Sequence, residues 1–82
     1  MNYTIKYAMS ARHPELIVDL NREGNTTSVV VWHRGEHRTI RKRTFKSYEE
    51  AEATFDSWCE EFEMTAVKET QLDPSDLYAN YD

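Results

Sequence analysis

The spacing of the apolar residues changes from a period of two to a period of about 3.6 at Ser47. Before Ser47, alternating or β-branched segments are separated by short turn sequences, and after it apolar residues recur at helical spacing. Consecutive hairpins form an antiparallel sheet, and a helix that follows them must cover one face of it. The pattern therefore predicts a single α+β domain over residues 1–82, with a sheet at 2–46, a main helix at 47–63 and a tail at 64–82.

Four strands are predicted in the first half of the chain. Tyr7 shares parity with Ile5, which leaves open whether Tyr7 lies at the surface or in the core. Ile40 and Phe45 differ in parity, so we expect a β-bulge between them or a strand that changes faces. Gly24 and Asn25 are typical of a tight hairpin turn. These signals predict a four-stranded antiparallel sheet with strands at residues 2–9, 15–21, 26–34 and 37–46.

The helix has a start signal and an apolar stripe. Ser47 is the predicted N-cap, and Glu50 completes a capping box. Residues 64–69 fit a short strand or an extension of the helix, and Asp73 followed by Pro74 predicts a short C-terminal helix on the same face of the sheet. The order of the tail stays open. The stripe expected to pack on the sheet consists of Ala51, Phe55, Trp58, Cys59 and Phe62.

Several classes of protein are disfavoured by composition and spacing. No apolar run approaches the roughly 18 residues that span a bilayer, so we expect no membrane partner. The N-terminus lacks the features of a signal peptide, and a lone cysteine agrees with a cytoplasmic protein. The three histidines and Cys59 lack the paired spacing of a metal site, and Cys59 lies on the apolar stripe as a structural thiol does. We therefore expect no enzyme activity, no metal and no cofactor.

Charge is distributed unevenly along the chain. Residues 1–46 have nine Lys/Arg and four Asp/Glu, a sum of +5, whereas residues 47–82 have one Lys and eleven Asp/Glu, a sum of −10. The acidic helix can imitate a DNA backbone, and equally it can serve solubility alone. The basic strand at 37–46, close to Trp32, can bind nucleic acid, or its charges can protect an edge strand from unwanted pairing.

Several short motifs occur in order over residues 2–60. They are Ile5-Lys6-Tyr7, Ser10-Ala11, Arg43-Thr44-Phe45 and Ser47-Tyr48-Glu49, with Phe55 and Trp58 on the helix. Together they resemble a family of small phage anti-CRISPR proteins that inhibit the type I-F CRISPR surveillance complex. The resemblance implies a four-stranded antiparallel sheet with two helices, which binds the repeated backbone subunit in the host bacterial cytoplasm and blocks engagement of target DNA. Tyr7 matches an exposed tyrosine of the family, but Asp19-Leu20 and Val30 stand where the family has a second tyrosine and an acidic residue.

A second set of residues is Trp32-His33-Arg34-Gly35, followed by a basic strand and by residues 45–51 at the helix start. This order resembles the WGR domain, a DNA-binding module with a sheet packed on a helix. His33 stands where that family has glycine, and the family's second glycine is missing.

We therefore predict a monomeric or homodimeric binding protein that occupies a bacterial CRISPR-Cas surveillance or effector complex. One alternative is a WGR-like nucleic-acid-binding module, and another is a phage structural or assembly protein that self-associates. The predicted partner-binding residues are Tyr7, Trp32 and Arg34 on the sheet and Glu52, Asp56 and Glu60 on the helix. The nucleic-acid alternative depends on Arg38, Arg41, Lys42 and Arg43.

Overall fold

The computed structural model describes residues 2–72, and the burial of side chains within residues 2–69. The fold class is α+β, as predicted. In chain order the elements are β1 (Asn2–Met9), β2 (Leu16–Glu23), β3 (Thr26–His33), β4 (Arg38–Phe45), α1 (Tyr48–Glu61) and β5 (Ala66–Leu72). No helix within residues 2–72 is long and apolar enough to cross a membrane. The C-terminal helix predicted from Asp73 lies outside the described residues.

The five strands of residues 2–72 form a single antiparallel sheet in the order β4-β3-β2-β1-β5. The four predicted strands are confirmed, with bounds within two residues of the observed ones. The sheet has five strands rather than the predicted four, because the segment for which the sequence left open a short strand or an extension of the helix forms β5 and pairs with β1. Residues 66–69 are all exposed, so β5 has little apolar patterning to predict it. Main-chain hydrogen bonds to a strand distant in sequence stabilise it instead.

Two irregular positions in the sheet decide which side chains share a face. The register of β1 shifts between Thr4 and Lys6, so Ile5 packs against the core beside α1. Because Ala8 also belongs to that core, alternation places Tyr7 on the opposite face. The β-bulge that we expected between Ile40 and Phe45 occurs at Ile40 itself. Thr39 pairs with Trp32 and Arg41 pairs with the adjacent Val31, so Ile40 is the extra residue of β4.

Gly24 and Glu63 have positive φ angles, which L-amino acids rarely adopt. Gly24 lies in the turn of a hairpin, and Glu63 lies at the end of the helix. Gly24, with φ of 64°, lies in the two-residue turn between β2 and β3, as the sequence predicted. Glu63 has φ of 58° just after α1. Its amide donates to the Glu60 carbonyl, and the Met64 amide donates to the Cys59 carbonyl at 2.8 Å. These bonds form a Schellman motif, in which glycine is the residue usually found at this position.

The core lies between α1 and the sheet. Ser47 is the N-cap, and its hydroxyl accepts a hydrogen bond from the Glu50 amide at 3.4 Å. On the other face of the sheet Ile17, Val30 and Asp19 are also buried, so β2 and β3 are withdrawn from solvent on both faces. The predicted stripe is confirmed as the helix side of the core: Ala51, Phe55, Trp58 and Cys59 are buried against Ala8, Val18, Leu20, Val29 and Val31, with Phe62 partly buried beside them.

Candidate macromolecule-binding surfaces

The outer side of α1 presents carboxylates. The helix contains six Asp/Glu residues and no Lys or Arg. Glu49, Asp56 and Glu60 fall on one side at helical spacing, in a row about 16 Å long at a rise of about 1.5 Å per residue. We call these three residues the acidic row. All three are exposed, and no salt bridge among the described side chains includes Asp56 or Glu60. The row therefore presents a negative field to solvent.

Glu52, also predicted to bind a partner, is instead held by the protein's own side chains. Lys6 Nζ donates to Glu52 Oε2 at 3.1 Å, and the Tyr48 hydroxyl donates to the same oxygen at 3.0 Å. The hydrogen bond from Lys6 lowers the pKa of Glu52 below its ordinary value, and the hydrogen bond from Tyr48 adds to this effect. Lys6 also lies over the Phe55 ring, 5.2 Å from its centroid. Glu52 is therefore a link between α1 and β1.

The three predicted residues of the sheet side lie on the face opposite α1. Tyr7 pairs with Asp19 of β2, and Trp32 pairs with Ile17 of the same strand. Both aromatic residues are half-buried. Since β1 and β3 flank β2 and the two partners on β2 are two residues apart, the backbones of Tyr7 and Trp32 are about 12 Å apart, from two strand spacings of about 4.8 Å across the sheet and two residues of about 3.3 Å along it.

Arg34 follows β3 directly and is half-buried. Its amide donates to the Glu15 carbonyl at 2.8 Å, and Nη1 of its guanidinium donates to Met9 Sδ at 3.2 Å. The sheet lies between this group and the helix carboxylates, so the six predicted residues belong to two surfaces rather than one.

The basic strand, β4, lies at an edge of the described sheet, as the edge-strand interpretation requires. Three of its four predicted cations form salt bridges within the domain: Arg38 with Glu36, Arg41 with Glu61 and Lys42 with Glu23. Arg43 is exposed and takes part in no salt bridge among the described side chains. Most of the positive charge of this strand is thus compensated locally.

Arg41 has a structural environment that the sequence did not reveal. Two of its guanidinium nitrogens donate to the two oxygens of Glu61, at 3.0 and 2.8 Å. The guanidinium also lies over the rings of Trp58 and Phe62, 5.0 and 5.1 Å from their centroids. The hydrogen bond from Arg41 lowers the pKa of Glu61. Arg41 therefore ties the edge strand to the C-terminal half of α1.

The one cysteine of the chain lies in the core between α1 and the sheet. Cys59 is buried, as predicted, and burial raises the pKa of its thiol to about 12, so the nucleophilic thiolate is scarce near neutral pH. Within residues 2–72 no three His, Cys, Asp or Glu side chains form a group able to hold a metal ion.

Comparisons with protein-family models, with curated proteins and with solved structures found no significant match to this chain.

Proposed function

We propose that the protein is a phage-encoded inhibitor that binds a bacterial CRISPR-Cas effector complex and blocks its engagement of target DNA. The resemblance over residues 2–60 supplies the class of partner. The acidic row supplies the physical means of binding, and it is the observation that supports the proposal most directly.

The balance of charges favours the acidic side of the molecule as the contact. A complex that holds DNA through its backbone presents lysine and arginine side chains. Asp56 and Glu60 are exposed and lack ion pairs with described side chains, whereas Arg38, Arg41 and Lys42 already have carboxylate partners. The protein is therefore better suited to a basic groove than to a phosphate backbone.

Rigidity makes the acidic row an effective competitor. The Lys6–Glu52 and Arg41–Glu61 pairs link α1 to β1 and β4, at the two sides of the sheet core. The backbone of a helix held in this way loses little conformational freedom when its carboxylates bind a partner. Complementary charge mainly accelerates association and selects the partner. Slow dissociation must therefore come from a few side chains that become buried in the complex. Tyr7, Trp32 and Arg34 are the proposed anchors if the contact extends to the sheet.

The direct test is binding to purified type I-F surveillance complex in competition with its target DNA. Charge reversal with Asp56→Lys and Glu60→Lys is expected to weaken binding at least about tenfold and to flatten its salt dependence. The matched control is Glu36→Lys with Glu69→Lys, which changes the net charge equally at exposed positions outside α1. An equal loss of affinity in both double variants would show that only net charge matters. The acidic row would then not be the binding site.

A nucleic-acid-binding module is the second candidate, and exposed Arg43 beside the Phe45 ring is the observation that favours it. Under this alternative, Arg38→Glu, Arg41→Glu and Arg43→Glu together abolish DNA binding, and wild-type affinity falls steeply with salt in a gel-shift assay. Because Arg41 also supports α1, Arg43→Glu alone is the cleaner variant. DNA binding that survives Arg43→Glu would count against the module.

The third candidate, a self-associating phage structural or assembly protein, is favoured by the two edge strands of the described sheet, β4 and β5. If this candidate is correct, analytical ultracentrifugation should give a mass above that of a dimer.

A further inference from the structure

We draw no further inference here: the strongest candidate, the face of the sheet opposite α1 where Ile17, Asp19 and Val30 are buried, carries none because nothing in residues 2–72 shows what covers it.

Discussion

Glu63 is expected to destabilise the protein through its backbone, although its carboxylate forms ion pairs. With φ of 58°, it occupies the left-handed region at the end of α1, where its amide and that of Met64 close the helix. Its carboxylate lies 3.0 Å from Arg12 and 3.5 Å from His13. Replacement by glycine removes the steric cost of the backbone and the ion pairs together, whereas replacement by alanine removes only the ion pairs.

The difference in free energy of unfolding between these two variants measures the cost of the left-handed backbone conformation at Glu63. A left-handed conformation costs an L-residue about 1 to 2 kcal/mol, and glycine avoids this cost. Glycine also raises the conformational entropy of the unfolded chain, which offsets about 0.4 to 1 kcal/mol of that gain. Glu63→Gly should therefore exceed Glu63→Ala in free energy of unfolding by about 1 kcal/mol. The ion pairs are exposed and contribute about 0.2 to 1 kcal/mol, so Glu63→Gly should exceed wild type by only about 0.5 kcal/mol.

Thermal unfolding followed by circular dichroism resolves these differences. For a domain of this size, 1 kcal/mol corresponds to a shift in Tm of about 4 to 8 °C. We expect that separation between the two variants, with wild type between them. Arg12→Ala removes the shorter ion pair without touching the turn and should lower Tm slightly. Equal Tm values for the glycine and alanine variants would refute the assignment of strain to Glu63.

Two further predictions follow from the titrating groups of the core and helix. Cys59, whose thiol pKa is raised to about 12 by burial, should react with a disulfide reagent at pH 8 only after the protein is unfolded in guanidinium, and rapid labelling of the native protein would contradict the structure. Because hydrogen bonds from Lys6 and Tyr48 depress the pKa of Glu52 from its ordinary value of 4.5, they stabilise the fold above that value, and the stabilisation is lost as pH falls through the lower folded pKa. Glu52→Gln should therefore lower Tm at pH 7 more than at pH 3, and an equal loss at both pH values would contradict this link.

The candidate site shows where inference from residue types stops. The sequence identified carboxylates on α1, but Asp56 and Glu52 look alike in the pattern of the helix. They differ because Lys6, on a strand distant in the chain, reaches Glu52 at 3.1 Å. The same holds for Arg41 and Arg43 on the basic strand, since only Arg41 lies over Trp58 and Phe62 and pairs with Glu61. Which charges remain for a partner is a property of tertiary contacts.

Local signals determined the elements up to the end of α1. Alternation placed the first four strands, Gly24 with Asn25 marked the tight hairpin, and Ser47 with the apolar stripe located the helix and its buried side. Each of these signals acts within a few residues, through steric limits, capping hydrogen bonds or the period of the side chains. These signals can therefore be interpreted from the local sequence, without knowledge of the remaining chain.

Tertiary structure decided between a strand and a helix extension after α1, and it decided the face of Tyr7. Residues 66–69 are exposed, and β5 forms because the edge of β1 offers unpaired backbone groups to it. Tyr7 faces away from α1 because the irregular register after Thr4 separates it from Ile5. In each case the cause is a backbone pairing between distant segments, which leaves no periodic trace in the residues themselves.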